Sequence, residues 1–326
     1  MRTSGRERIQ PPNLACVRLR LIVNPIASSM TERRLQVIRA TLAAGHSIDV
    51  ATTTGRDHAR ELASEAAADG VDVVIVAAGD GTLNEAANGL VGTATALAPV
   101  PGGSTNVFAR AVGYGNRVER ATERLLMALD RGSIRRVGVG AANGRHFLFH
   151  LGAGFDAAVV ARIEAKPSVK RYAAHPAFAV ATVRTLQRGF DRENPILRVR
   201  LPDGSQHESF FSVVSNLAPY TYLGPRRMLL TRNASLDRAL ALTSFTRFTV
   251  VDVAGTLGST VGAAGRLARD PTVVQRSDLE ALRLTAIGAG AGERFPWQVD
   301  GEYLGPIDEL AIVYVPDALS LVLPVS

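Results

Sequence analysis

Three short segments rich in glycine, hydroxyl and carboxamide side chains occur in the first third of the chain. They are residues 24–28 (NPIAS), 79–85 (GDGTLNE) and 102–106 (GGSTN). Glycine lets a backbone approach phosphate oxygens closely, and a helix that follows such a segment presents free N–H groups to an anion. Thr82 and Ser104 add hydroxyls, and Asp80 is suited to hold a metal through a shell of water. These residue types together predict a phosphate-binding site.

The elements around these segments indicate a parallel α/β layer. Strands are predicted at residues 17–23, 47–52, 71–77 and 95–100. The first predicted helix spans residues 31–44 and follows a capping-box spacing from Ser29 to Glu32. The second is capped by Asp57 and ends near Gly70. The third runs from the second segment through Asn88 and is closed by Gly89. Ligands bind outside the carboxyl ends of parallel strands, so the three segments should share one edge of the sheet. Taken singly, each segment is more typical of an ordinary strand-to-helix turn, but three such segments on one edge make that interpretation much weaker.

The pattern changes after residue 132. Strand-like stretches follow at 135–139, 146–150, 196–201, 209–215 and 282–287, with turn residues such as Asn143-Gly144 between several of them. One helix is predicted at 176–188. This pattern predicts a second, mostly antiparallel β domain, with the boundary near residue 133.

Composition favours a globular protein of about two domains and argues against several function classes. The chain has 326 residues, of which 46% are hydrophobic and 21% charged. Its only cysteine is Cys16, so no internal disulfide can form. The most apolar stretch, at 248–267, is interrupted by Asp252 and Arg266. We therefore interpret it as a helix of a soluble domain rather than as a membrane span.

The formal net charge is +7, and nearly all the cations are arginines because Lys166 and Lys170 are the only lysines. The basic residues are dispersed and aromatic residues are few, which argues against nucleic acid as a partner. Two interpretations stay open: a solvated basic surface, or attraction to anionic partners such as nucleotide phosphates or an acidic membrane. Neither lysine follows a glycine, so a Walker loop is absent, and Asn84 stands where a dinucleotide fingerprint needs its third glycine.

The order of these motifs resembles that of diacylglycerol and sphingosine kinases, which are relatives of NAD kinase and phosphofructokinase. The segment AGDGTLNE at 78–85, followed by NGL at 88–90, is similar to their GGDGT motif. The segments PGGSTN and FAR at 101–110 resemble their second signature, and Asn24-Pro25 their opening NP. Residues 152–156 resemble their G-x-G-x-D segment, and residues 300–302 match their late DGE. The resemblance runs from about residue 18 to the C-terminus.

The resemblance implies an α/β protein with a parallel three-layer nucleotide domain and a C-terminal β-sandwich. We expect the nucleotide-binding domain at 14–133, the lipid-binding β domain at 134–310, and a return of residues 311–326 to the first domain. It implies ATP and Mg²⁺ as cofactors and γ-phosphate transfer to the hydroxyl of diacylglycerol or a sphingosine-like lipid. Glu302 would be the base, with Asp300 and Asp80 as catalytic and metal-associated acids. The nucleotide-binding residues would be Asn24, Pro25, Thr53, Gly79, Asp80, Gly81, Thr82, Leu83, Asn84, Glu85, Gly103, Ser104 and Asn106.

The chain departs from the family pattern at several positions. Ala78 replaces the first glycine of GGDGT, Val107 replaces an aspartate, and Ser28-Ser29 replace a glycine and a basic residue. Arg238 stands where bacterial members carry the second acid of a structural magnesium site, so that site is expected to be lost. Two alternatives therefore stay open: a catalytically degraded lipid- or nucleotide-binding protein, and a kinase of a soluble acceptor as in NAD kinase.

The resemblance also carries expectations about the cellular context. We expect a cytoplasmic protein that makes peripheral contact with the inner membrane face and does not bind nucleic acid. A homodimer is left open, and so is the identity of the acceptor lipid. The segment at 220–225 (YTYLGP) is similar to a glycine-bearing segment near the acceptor pocket of family members.

Overall fold

The computed structural model describes residues 16–165, 193–231, 233–247, 267, 269–288 and 293–325. The helix predicted at 176–188 and nearly all of the apolar stretch at 248–267 lie outside these residues. In the part of the chain that is described, no helix has the length and apolar character needed to cross a membrane.

A parallel sheet forms the centre of the N-terminal half. Its strands are β1 (Arg18–Val23), β2 (Ser47–Thr52), β3 (Val73–Ala78) and β4 (Ala96–Pro101), in the order β2-β1-β3-β4. All six residues of β3 are buried, because helices cover both faces of the sheet. The helices are α1 (Glu32–Ala43), α2 (His58–Ala68), α3 (Asp80–Leu90), α4 (Val107–Ala111) and α5 (Val118–Asp130).

Two apolar clusters hold these helices against the sheet. Ile38 of α1 and Leu125 of α5 pack on one face. Ala63 of α2 and Leu90 of α3 pack on the other face. Alternate strand residues point to opposite faces, so each strand contributes to both clusters. The predicted three-layer α/β arrangement is confirmed.

The described residues of the C-terminal half form mainly antiparallel strands, together with a helix. The elements are β5 (Ile134–Ala142), β6 (Arg145–Phe147), β7 (His150–Gly154), α6 (Phe155–Glu164), β8 (Leu197–Arg200), β9 (Gln206–Ser209), β10 (Phe211–Ser215), β11 (Thr221–Leu223), β12 (Arg226–Met228), β13 (Leu240–Phe245), β14 (Val273–Leu279), β15 (Ala281–Ala286), β16 (Phe295–Val299), β17 (Glu302–Ile307) and β18 (Glu309–Val322). The long strand β18 pairs in parallel with β4 at Ser320 and Leu321, and antiparallel with β5 and β15. A second sheet, with six described strands, has the order β14-β13-β10-β7-β16-β17.

The two sheets of this half pack face to face. Leu284 of β15 and Ile312 of β18 meet Leu242 of β13 and Val299 of β16 in a single apolar cluster. The predicted β-sandwich is therefore confirmed. The domain limits at residues 133 and 310 stay predictions, because β18 joins the strands of both halves into one continuous sheet.

Several local predictions were wrong for identifiable reasons. The N-cap of α1 is Thr31, whose side chain accepts a hydrogen bond from the Arg34 N–H, whereas the Ser29 hydroxyl donates to the Gly103 carbonyl. Gly89 does not end α3, which continues to Leu90. A side chain at Gly89 would lie 2.4 Å from the Arg60 carbonyl oxygen, so glycine is needed there for α2 and α3 to pack closely.

Other elements were missed or divided. Helices α4, α5 and α6 were not predicted, nor were strands β9, β11–β14 and β16–β18. The stretch at 146–150 is divided between β6 and β7, because the backbone N–H groups of Leu148 and Phe149 turn toward a carboxylate instead of a neighbouring strand.

Candidate active site

The three segments that are predicted to bind phosphate meet at the carboxyl edge of the parallel sheet. The Asn24 side-chain amide donates to the Thr82 hydroxyl over 3.1 Å, which joins the first loop (24–28) to the second (79–85). The Ser29 N–H donates to the Gly102 carbonyl over 2.9 Å, which joins the end of the first loop to the third (102–106). Loops that follow β1, β3 and β4 therefore form one connected rim.

Close backbone contact shapes the centre of this rim. A Cβ atom at Gly103 would lie 2.7 Å from the Gly79 Cα, so no larger residue fits between the second and third loops. The Asn106 side chain accepts from the Gly103 N–H and donates to the Gly103 carbonyl, which fixes the third loop. By contrast, a Cβ at Gly81 would meet no atom within 4 Å. The N-terminus of α3 therefore faces open space that suits an anion.

Asp80 lies beside this space and is held by the N-terminus of α4. Its two carboxylate oxygens accept hydrogen bonds from the backbone N–H groups of Val107 (2.8 Å) and Phe108 (3.0 Å). Burial raises the pKa of Asp80, and the two N–H groups and the nearby Arg110 oppose that shift. Val107, which replaces a family aspartate, thus contributes its backbone to the site rather than a carboxylate.

Asp300 occupies the turn between β16 and β17, with a left-handed backbone (φ 50°). Its oxygens accept from the backbone N–H groups of Leu148, Phe149 and His150 and from the Asn84 side-chain amide, at 2.7–3.0 Å. Burial raises the pKa of Asp300 to about 6, against the effect of these donors. Four donors occupy the roughly four lone-pair sites of a carboxylate, so this geometry does not fit the predicted role of Asp300 as a metal ligand.

Asn84 joins the second loop to this turn. Its side-chain amide donates to Asp300 (2.7 Å) and to the His146 carbonyl (2.9 Å). Its side-chain oxygen accepts from Arg145 (3.1 Å) and from Asn88 (3.1 Å). With only 1% of its surface exposed, Asn84 is a structural bridge between the N-terminal helix α3 and the C-terminal strands, rather than a residue open to a ligand.

Glu302 follows the same turn and is held by two arginines. Arg56 Nη2 lies 2.5 Å from one carboxylate oxygen, and Arg145 Nη2 lies 3.0 Å from the other. Arg145 also reaches Asp57 over 3.3 Å, so the Asp57 carboxylate does not cap α2 as predicted. Burial raises the pKa of Glu302, and Arg145 and Arg56 oppose the shift.

A second network of hydrogen bonds also supports the turn. The Gln298 amide donates to Asp156 over 2.8 Å, and the Tyr220 hydroxyl donates to the other Asp156 oxygen. The Gln298 side-chain oxygen accepts from the Gly301 N–H over 2.8 Å. The G-x-G-x-D segment therefore fixes the backbone of residues 300–302 through Gln298.

The predicted nucleotide-binding residues divide into two groups. Asn24, Gly79, Asp80, Gly81, Thr82, Gly103, Ser104 and Asn106 lie on the connected rim. Leu83 lies in the apolar core, and Glu85 accepts from the Ala59 N–H at the start of α2, so their side chains do not line the rim. Pro25 is exposed, and Thr53 is buried at the end of β2.

Sequence reasoning missed the two arginines that hold Glu302. Arg56 lies in the loop after β2, and Arg145 begins β6 after the Asn143-Gly144 turn. Neither position carries a local signal, because their importance comes from a partner far along the chain.

The residues around the rim are better suited to bind Mg²⁺ together with a nucleotide than to form a metal site from protein ligands alone. Within the described ranges, no group of three or more His, Cys, Asp or Glu side chains is placed to hold a metal ion. Mg²⁺ in phosphoryl-transfer sites is commonly bound through one or two carboxylates together with substrate phosphates. Each oxygen of Asp80 accepts only one hydrogen bond from the described residues, so Asp80 retains capacity for that role.

The position of the family's structural magnesium site holds ion pairs instead. The Arg238 guanidinium pairs with both oxygens of Asp278, and Asp237 pairs with Arg135 over 2.7 Å. Both acids near this position therefore have arginine partners.

Comparison with known proteins supports the resemblance seen in the motifs. Residues 18–142 match the family model of the diacylglycerol kinase catalytic domain. A diacylglycerol kinase of Bacillus subtilis is 35% identical over 144 residues, which cover 42% of this chain and 46% of that protein. A probable lipid kinase, YegS-like, of Chromohalobacter salexigens is 32% identical over 195 residues, covering 59% of this chain and 60% of that protein. The matched segments thus span about half the length of these relatives.

Solved structures resemble this protein over a larger part of the chain. A crystal structure of a diacylglycerol kinase from Bacillus anthracis covers 94% of this chain and 96% of its own, with a TM-score of 0.68 and 20% identity. At this identity the likeness establishes a shared fold. Residues 18–142 of this chain are therefore similar, in motif order and in sequence, to the catalytic domain of diacylglycerol kinases.

Proposed function

We propose that this protein is a kinase that transfers the γ-phosphate of ATP to the hydroxyl of a lipid, either diacylglycerol or a sphingosine-like base. The observation that carries the proposal is the hydrogen bond from Asn84 to Asp300, two residues 216 positions apart in the chain. It joins the DGE turn of the β-sandwich to the helix that begins at the proposed phosphate-binding rim. The proposed phosphate cradle and the turn that carries the candidate base are therefore directly linked.

The rim would hold the nucleotide by its backbone. Open space over Gly81 leaves the first N–H groups of α3 available to phosphate oxygens, because the first turn of a helix has no internal acceptors for them. Thr82 and Ser104 would contribute hydroxyls. Asp80 would hold Mg²⁺ together with the phosphates, and the metal would neutralise charge on the group being transferred.

Glu302 would accept the proton of the acceptor hydroxyl. As the hydroxyl oxygen bonds to the γ-phosphorus, the bond from that phosphorus to the bridging oxygen breaks, and ADP leaves. Of the two partners of Glu302, Arg56 has a side chain that is 61% exposed, so it can release the carboxylate without becoming a buried unpaired charge. Arg145 would remain and hold the carboxylate in place.

The basic charge and the proposed substrate also suggest a cellular setting. A lipid acceptor resides in a bilayer, so we propose a cytoplasmic protein that contacts the inner membrane face peripherally. The net charge of +7 supports attraction to an anionic surface.

The test is a transfer assay with ATP labelled on its γ-phosphate and a panel of lipid extracts. Label in an organic-soluble product supports the proposal, and the product identifies the acceptor. Label in a water-soluble product would favour the alternative of a soluble acceptor. ATP binding without transfer to either class would favour a second candidate, a binding protein. The observation that motivates this candidate is that both oxygens of Glu302 are held by arginines.

A substitution at Gly81 tests the nucleotide cradle. We expect Gly81→Val to abolish measurable ATP binding while the fold persists, because the new side chain starts in open space, where its Cβ has no atom within 4 Å. Calorimetric titration with ATP measures the effect. Gly45→Val is a matched control, since Gly45 also has open space but lies before β2, at the other edge of the sheet. Equal ATP affinity in wild type and Gly81→Val would contradict this cradle.

A further inference from the structure

We propose that the tip of the β11–β12 hairpin, residues 223–227, is the surface that docks this protein on an anionic lipid bilayer. The proposal rests on the lipid kinase function only to explain why the protein would contact a bilayer. The structural evidence comes from the hairpin itself. Among the described strands, β11 and β12 pair only with each other, so the hairpin stands apart from both large sheets.

The hairpin is anchored at its base and exposed at its tip. Tyr222 and Met228 are buried, and Tyr222 belongs to the same apolar cluster as α2 and α3. All five residues from Leu223 to Arg227 are exposed. Leu223 is one of the few large apolar side chains on the described surface, with 44% of its area accessible. An anchored hairpin with an apolar residue at its exposed end suits shallow insertion into a headgroup layer.

The segment that contains the hairpin carries charge of only one sign. No aspartate or glutamate occurs in the sequence between Glu208 and Asp237, whereas Arg226 and Arg227 lie next to each other at the tip. Neither arginine has a carboxylate partner among the described residues. Adjacent unpaired cations beside an exposed leucine complement anionic headgroups over an acyl layer. This combination favours a bilayer as the binding partner. An acidic protein surface could pair with the two arginines but would leave Leu223 without an apolar partner.

The tip is also tied to the candidate active site. Arg110 Nη2 donates to the Gly224 carbonyl over 2.7 Å, and its guanidinium carbon lies 3.4 Å from the centre of the Tyr222 ring. Arg110 belongs to α4, whose first N–H groups bind Asp80. One short helix therefore connects the tip to the phosphate rim. A bilayer that contacts the tip would present its lipid hydroxyls next to the proposed transfer site.

Vesicle sedimentation of the full chain tests the docking surface directly. Vesicles would contain phosphatidylglycerol mixed with phosphatidylcholine, or phosphatidylcholine alone. We expect wild type to bind only the anionic vesicles, and the double variant Arg226→Glu/Arg227→Glu to bind them at least about tenfold more weakly. Leu223→Ser should weaken binding several-fold. Unaltered binding by the double variant would overturn the proposal.

A charge-matched control separates the hairpin from net charge. Arg33 and Arg39 are exposed on α1, which packs on the face of the parallel sheet opposite to Tyr222. Arg33→Glu/Arg39→Glu changes the net charge by the same amount, so we expect it to bind anionic vesicles nearly as wild type does. Equal loss in both double variants would show that only net charge matters and would overturn the assignment to the hairpin. Thermal unfolding verifies that each variant is folded.

Turnover provides a second readout. We expect Arg226→Glu/Arg227→Glu to phosphorylate a dispersed short-chain diacylglycerol at the wild-type rate and a vesicle-embedded one more slowly. Equal losses on both acceptors would contradict docking. If wild type phosphorylates neither acceptor, the kinase proposal fails, and the sedimentation result still decides whether the hairpin docks.

Discussion

Replacing Glu302 by glutamine should lower turnover on a lipid acceptor by about 10²–10⁴ while ATP affinity stays the same. A lipid hydroxyl is a poor nucleophile until a base accepts its proton, and an amide cannot do so. Glutamine has nearly the same shape and can still accept a hydrogen bond from Arg145, so the turn should persist. Steady-state rates with labelled ATP, on a lipid that wild type phosphorylates, measure the effect. ATP titration verifies that the nucleotide still binds.

The pH dependence gives this prediction a second observable. Burial raises the pKa of Glu302 above the usual range of a glutamate, with Arg145 and Arg56 opposing. A base works only when deprotonated, so wild-type turnover should fall as the pH drops through that raised pKa. In Glu302→Gln this acid limb should disappear from the residual activity. If the acid limb of the pH profile were unchanged, the titration of a group other than Glu302 would be responsible for it.

A matched control separates base chemistry from the loss of an ion pair. Glu208 forms an exposed pair with Arg198 over 3.3 Å, far from the turn in the chain. Glu208→Gln removes a comparable Arg–Glu interaction and should turn over at the wild-type rate. If Glu302→Gln behaved like this control, the DGE turn would have a structural role and the proton would need a different acceptor.

The parallel layer was predictable because its signals are local. A continuous β-branched run marks β3, and glycine or proline marks the end of most strands. Strand direction then places the three loops at one edge without any knowledge of distant contacts. The same local reasoning could have corrected the assignment of Leu83 to the nucleotide site. In a helix that begins at Asp80, Leu83, Ala87 and Leu90 share one apolar face, which points Leu83 into the core.

The interior of the site was not predictable in this way. Arg56 and Arg145 approach Glu302 from positions far away in the chain, Arg145 being 157 residues distant, so no spacing rule connects them. The family motif identified Asp300, but its four donors depend on β6, β7 and α3 meeting at one point. Residues that act through tertiary contacts carry no periodic signal, and only the folded chain reveals their partners.

Asp300 should therefore be more important for stability than for metal binding. We expect Asp300→Asn to lower the free energy of unfolding by about 2–6 kcal/mol. The amide replaces one acceptor oxygen by an NH₂ group, so two of the four N–H donors lose their acceptor at about 1–3 kcal/mol each. Asparagine tolerates the left-handed backbone at this position, so backbone strain does not contribute. Chemical denaturation of both proteins measures the difference.

Asp278→Asn is the control for the same substitution in an exposed setting. Asp278 has a similar left-handed backbone (φ 58°) and pairs with Arg238 at the surface, where water screens the pair. Its variant should unfold at nearly the wild-type denaturant concentration. The Mg²⁺ concentration needed for half-maximal turnover then distinguishes the two roles of Asp300. If Asp300 is the structural link between the turn and α3, Asp300→Asn should be destabilised without a selective rise in its Mg²⁺ requirement. A stable variant that needs much more Mg²⁺ would instead restore Asp300 as a metal ligand.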